Sequence, residues 1–457
     1  MIKFRHQVLH MLPVPALVCG ALAHPAPAQF GEQGPKLVGS GAIGDAQQGI
    51  ALSLSGDGST AIVGGSSDNG GAGAAWVYAR SGGVWRQQSK LVGIDAADHS
   101  SGEQGFSVSL AADGNSAIVG APGDNLNVGA ARIYTRSEGV WSQQGAKLVG
   151  TGAVGGAKQG ISVSLSGDGN TAIVGGPFDY GALGAAWVYT RSGGAWRQQA
   201  KLVGTGAVGY AKQGQSVSLS CDGCTAIVGG LAGDAAWVFT RSNGVWTQQG
   251  PKLVGEGAIG FAQQGSSVSL SGDGNTAIMG GFSDNGGVGA TWVFTRLQGV
   301  WSQQGPKLVG TGGLGAARQG SSVSLSGDGN TAIVGGSGDN PSPPLNPVGA
   351  AWVFTRSNGV WGQLQAKLVG TGAKSNALQG FSVSLSDDGD YAMLGGPSDN
   401  RDSESGRAAG AAWVFVKFAR TAGAATCVAQ SVFNHWSSII AISLPSSMPK
   451  GLQRPPP

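Results

Sequence analysis

Residues 159–176 read QGISVSLSGDGNTAIVGG, and the architecture of the chain is decided by this stretch. SVSLS alternates polar and apolar residues with a period of two, as a half-buried strand does. Asp168-Gly169 then breaks the alternation where glycine tolerates a positive φ, a strong hairpin signal. TAIVGG, from Thr171 to Gly176, supplies a second strand. The block is not unique. The tetrapeptide KLVG that precedes it begins at Lys36, Lys90, Lys147, Lys201, Lys252, Lys307 and Lys367, at intervals of 51 to 60 residues.

Working outward, each hairpin is followed by a short loop, usually containing Asp-Asn. After it comes a third apolar run, AAWVFTR at 235–241, for example, then an SGGV or SNGV turn and VWxQQxxKLVG. Each unit therefore predicts four antiparallel strands. The third is apolar nearly throughout, as expected where neighbours cover both faces of a sheet. Tryptophan recurs in it at 76, 187, 237, 292, 352 and 413, and in the fourth strand at 85, 141, 196, 246, 301 and 361. Arg132 takes the third-strand position in the second unit. Large rings at one register in nearly every unit point to packing between units. A period near fifty made of short strands, none able to bury its faces alone, predicts an all-β, seven-bladed β-propeller of four-stranded blades.

The chain ends predict how the ring closes. The seventh unit reaches its third strand at 411–415 but has no GVWxQQ after it. Residues 29–35, QFGEQGP, imitate VWSQQGP with Phe30 in the tryptophan place. The N-terminal strand is thus expected to complete blade seven, removing edges that invite aggregation.

Only 12% of the 457 residues are charged and 84 are glycine, without the G-X-Y period of collagen. Lys3, Arg5 and His6, an apolar stretch from Val8 to Ala23, and Ala26-Pro27-Ala28 read as a signal peptide over 1–28. Export to the periplasm or outside the cell is expected. Losing Lys3 and Arg5 would take the formal charge from +3 to +1, leaving no footprint for nucleic acid. The propeller is assigned to 29–416, and 417–457 is read as a disordered, non-repeat tail without a membrane span. Cys221 and Cys224 flank the turn SCDGC, where a structural disulfide is expected, with free thiols or redox work as the alternatives.

The units resemble FG-GAP repeats, the propeller repeats of integrin α-subunits and many bacterial exported proteins. Gly105-Phe106-Ser107-Val108-Ser109-Leu110 with Gly120-Ala121-Pro122-Gly123-Asp124-Asn125 carries the pattern best, and Gly380-Phe381 with Gly396-Pro397 carries part of it. The resemblance implies a propeller and, in integrin-like members, calcium in a DxDxDG hairpin loop. Here that loop keeps one acid per unit: Asp57, Asp113, Asp168, Asp222, Asp273 and Asp328. Calcium needs six or more oxygen ligands, so these acids are read as turn formers and no cofactor is expected. Only Asp387, Asp388 and Asp390 are rich enough for a weak cation site.

Antiparallel strands put the GDGN and SGGV turns on one face, hereafter the turn face. The loops between second and third strands, and the links between units, share the other, the loop face. Insertions collect there, as on the binding faces of repeat proteins. They bring Asp95, Asp98, His99 and Glu103, then 341–347 beside Asp339 and Asn340, and then Arg401, Asp402 and Glu404. Loop acids at 68, 124, 179, 234, 284, 339 and 399 are read as turn formers, with a cation-attracting acidic ring as the alternative. No catalytic motif stands out, and His99 is the sole histidine within the repeats. The expected function is a non-enzymatic, monomeric binding or adhesion scaffold for a protein or glycan. A structural surface or matrix protein, or a propeller hydrolase or lyase, are the alternatives.

Overall fold

The computed structural model describes residues 28–94, 101–340, 347–374, 376–400 and 408–418. Seven four-stranded antiparallel sheets form a seven-bladed β-propeller. Blade one is typical, with strands Ala51–Leu54, Thr60–Gly65, Ala74–Ser81 and Val84–Leu91 in that order across the sheet. Blade seven is closed by the chain's first strand. Gln29–Glu32 pairs antiparallel with Ala411–Phe418, Phe30 facing Lys417 in register, and Phe30 is buried.

The serines of SVSLS explain how inner strands meet around the axis. Each inner strand is the edge of its own sheet, so one leucine N–H has no partner within the blade. The Ser53 hydroxyl accepts it from Leu110, Ser109 accepts from Leu165, and so on to Ser384, which accepts from Leu54. A second ring runs through main chain alone. Gly56 N–H donates to Ala112 C=O, Ala112 to Gly167, Gly167 to Cys221, Cys221 to Gly272, Gly272 to Gly327, Gly327 to Asp387, and Asp387 back to Gly56, all at 2.8–3.0 Å. This circle of seven hydrogen bonds leaves no inner edge open on the turn face.

Between blades lies the core. Six third-strand tryptophans, from Trp76 to Trp413, are fully buried, each among residues of two adjacent blades. The glycine of KLVG is required by them: a Cβ on Gly39 would stand 2.3 Å from the Trp76 ring. In blade two the same place, over Gly93, is taken by Arg132, which is buried and pairs with Asp124 at 2.6 Å.

The fourth strand differs from expectation. It runs unbroken into KLVG only in blades one and three, as Val84–Leu91 and Ala195–Leu202, each with a bulge. Blades two, four and five carry one more residue there, and Gly145, Gly250 and Gly305 take φ of 72–74°. The strand therefore stops at Gln143, Gln248 and Gln303, and its leucine rejoins the third strand as a single bridge.

Candidate functional site

On the turn face, the GDGN loop is a hydrogen-bonded turn. Asp168 accepts from the Ser166 hydroxyl at 2.5 Å and the Asn170 N–H at 2.9 Å, and the Thr171 N–H donates to Ser166 Oγ. Burial alone would raise the Asp168 carboxyl, but these donors outweigh it and hold its pKa below 3.8. Asp57, Asp273 and Asp328 are held low in the same way. The outer half of this face is equally occupied. In blade three the Arg191 guanidinium stacks on Trp196 at 5.5 Å, and both donate to Gln144 of blade two.

Where the axial channel meets the turn face, its ring positions are glycine or alanine in five blades and Cys221 and Asp387 in the others. The space there is about 100 Å³, room for a few waters. Burial, followed by the charges of Asp387, Asp222 and Asp273, pushes the Cys221 thiol up to about 11, the opposite of an activated nucleophile.

The expected Cys221–Cys224 disulfide is not formed; both thiols are free. The turn separates them. Cys221 lines the axial mouth, whereas Cys224 Sγ lies 3.6 Å from the Arg241 guanidinium. The three acids of blade seven also diverge. Asp387 faces the channel, Asp388 accepts from Ser386 and the Asp390 N–H, and Asp390 pairs with Lys417 at 3.3 Å.

On the loop face, the recurring acids form no open acidic ring. Asp68, Asp179, Asp284, Asp339 and Asp399 are buried. One oxygen of each accepts a link N–H, from Ile43, Val154, Ile259, Leu314 and Lys374 respectively, at 2.6–2.7 Å. The other pairs with the KLVG lysine of the same blade, respectively Lys90, Lys201, Lys307, Lys367 and Lys36, at 2.5–2.7 Å. Asp339, read from the sequence as a ligand-face candidate, is thus buried and paired with Lys367. Asn340 sits half-buried at φ 57°, and Glu103 is half-buried at φ 55°. Asp95, Asp98, His99, Arg401, Asp402 and Glu404 lie outside the described residues.

What the sequence reading missed is a group of exposed aromatics in blades three to five. Tyr180 and Phe178 occupy loop positions that are Asn and Ser in blades one and five. Tyr210 and Phe261 stand at matching places in the links to blades four and five, where other links carry Asp45, Gly156, Ala316 and Asn376. Tyr180 is 67% exposed, Tyr210 73%, Phe261 57% and Phe178 38%. They lie in successive elements joined by hydrogen bonds, from the N–H of Tyr180 to Val154, Lys212 to Ala182, Gly233 to Ala211 and Ser283 to Ala262 through main chain, and from the Gln264 N–H to the Asp234 carboxylate. Phe178 lies between two cations, 5.7 Å from Lys158 Nζ and 5.3 Å from Lys212 Nζ. Aligning the seven copies position by position would have revealed them, since each replaces a small or polar residue.

No protein-family model matches the chain, and no curated protein does. Among solved structures, it is similar to a protein provisionally assigned as a 6-phosphogluconolactonase from Bacteroides uniformis. The TM-score is 0.50 and the identity 14%, over 73% of this chain and 88% of that one. Likeness at this identity shows the propeller fold alone.

Proposed function

We propose that the protein is an exported, non-catalytic binding module that holds a protein or glycan on the loop face of its propeller. The observation that supports this reading is the placement of departures from the repeat. The exposed aromatics of blades three to five belong to that face, the sequence places its insertions at 95–103, 341–347 and 401–407 in the same class of loops and links, and turn-face polar groups are spent on turns and blade contacts. Propeller enzymes need acids and bases converging near the axis. Here the axial mouth offers a thiol held protonated and one carboxylate. FG-GAP membership remains part of this proposal, resting on the glycine–phenylalanine and GAP segments of blade two.

The test is capture on glycan and protein arrays by the full chain, against a version whose three insertions are replaced by the plain links of other blades. Binding that disappears with the insertions or with the aromatic positions supports the reading. Binding untouched by any loop-face change, or substrate turnover by the purified chain, would overturn it.

A further inference from the structure

We propose that the loop face of blades three to five binds an acidic polysaccharide whose sugar rings carry carboxylates. This rests on the loop-face reading above and narrows it to one chemistry.

The first observation is charge. Every KLVG lysine except Lys252 is paired with a loop aspartate, so those cations belong to the fold. Lys158 and Lys212 are different. Among the described residues neither has a carboxylate partner, and both lie against Phe178. Their equivalents in other links are Gln47, Glu103, Gln263, Arg318 and Leu378, so the fold does not require a cation there. Of the loop acids nearby, Asp179 and Asp284 are buried against lysine, and half-buried Asp234 accepts the Gln264 N–H. The links themselves contain one acid, Glu256, five residues before Phe261.

The second observation is strain without packing. Tyr180 has φ 47°, a left-handed conformation that suits the asparagine found in five sibling loops and disfavours a bulky residue. Its ring is largely exposed, so burial does not offset that cost. A strained, solvent-facing aromatic points to a role outside folding.

Together these features select the ligand. Tyr180, Tyr210 and Phe261 stand out singly along adjacent blades, as suits flat rings repeated along a chain. Aromatic faces take the apolar face of a sugar ring, and ammonium groups take carboxylates by charge-assisted hydrogen bonds. The pair flanking Phe178 would meet the acid groups while the tyrosines carry the rings.

The experiment is calorimetric titration of the full chain with polygalacturonate and alginate, with dextran as neutral probe and polyglutamate as acidic-peptide probe. Binding to a polyuronate that weakens with salt is expected. Lys158→Met with Lys212→Met should weaken it about tenfold, and Tyr180→Asn about fivefold. Tyr180→Asn should also melt no lower than the parent, because it relieves strain; a merely structural residue would not lose binding while keeping stability. Turn-face controls Val245→Ser and Val300→Ser should bind as the parent does.

Several results would overturn the proposal. Polyglutamate binding as tightly as polyuronate would make the surface a peptide site. Dextran binding, or polyuronate binding indifferent to both lysines, would make it a neutral-glycan site. In either case the loop-face reading stands. Absence of polyuronate binding would overturn this proposal alone, and only the array experiment bears on the wider reading.

Discussion

The two faces of the propeller are built from the same seven units, yet they treat a charged residue in opposite ways. On the turn face, Asp168 and its equivalents sit at the surface and organise a two-residue turn. On the loop face, Asp284 and four of its equivalents are buried, each holding a link N–H and a lysine. The turn face repeats its polar bonds from blade to blade, whereas the loop face repeats only its buried ones and leaves the exposed positions free to vary. Repetition reports what the fold needs; departure at an exposed position reports what it does not.

The most drastic way to break this comparison is to open the ring on which both faces depend. Deleting 29–37 removes buried Phe30 and Leu37 and the ladder to Ala411–Phe418, and exposes that strand as an edge. A loss of about 5 kcal/mol is expected, comparable with the whole stability of a marginal domain. Urea unfolding should show it as a collapse of the midpoint; an unchanged midpoint would mean the ring is not closed by this strand. A smaller change probes the same seam. Gln365 of blade six accepts from the Phe30 N–H at 2.6 Å and donates to its carbonyl at 3.0 Å, where other blades carry glycine. Gln365→Gly should cost about 1 kcal/mol.

The second prediction sets one acid against the other. Asp284→Ala strands a buried N–H and the Lys307 ammonium, and should cost about 3 kcal/mol. Asp168→Ala loses only turn bonds at the surface and should cost about 1 kcal/mol. The turn-face acids also set a pH dependence. Their folded pKa lies below 3.8, so the stability they add is complete above that value and is lost as pH falls through the lower folded value. Unfolding followed from pH 5 to pH 2 should therefore show a decline that is shallower in Asp168→Asn. Equal costs for the two alanine variants would mean that the faces do not differ as described.

Much of this was legible in the chain, and the reason is redundancy. Period-two alternation with Asp-Gly placed the hairpins in every copy, and the missing GVWxQQ after 411–415 with QFGEQGP at 29–35 gave the closing strand. The Asp–Lys pairs were not read, although lysine of KLVG and the loop aspartate recur together, because their partnership needs the link folded back over the loop. The broken fourth strand escaped notice for a similar reason: one inserted residue and a glycine at positive φ change register without changing composition. The aromatics leave the length of the repeat unchanged, since Tyr180 and Tyr210 replace residues rather than add them, and so give no insertion signal.

The smallest effect tests whether departures inside the core follow the same logic as those on the loop face. Blades four to seven place Phe239, Phe294, Phe354 and Phe415 in the third strand where blades one to three have Tyr78, Tyr134 and Tyr189. The Tyr134 hydroxyl accepts from Gln104 at 3.1 Å. Those of Tyr78 and Tyr189 are buried without a partner among the described residues, and burial pushes both phenols far up. Removing an unsatisfied buried hydroxyl relieves its desolvation, so Tyr189→Phe and Tyr78→Phe should each stabilise by about 1 kcal/mol, while Tyr134→Phe should destabilise by leaving Gln104 short of a bond. Thermal unfolding of the three variants reads the sign directly. Tyr189→Phe and Tyr180→Asn both restore the residue common in sibling blades and both should raise stability, but only the second changes what solvent meets. If the two variants altered ligand binding alike, an exposed departure would carry no more meaning than a buried one, and the contrast between the faces would fail.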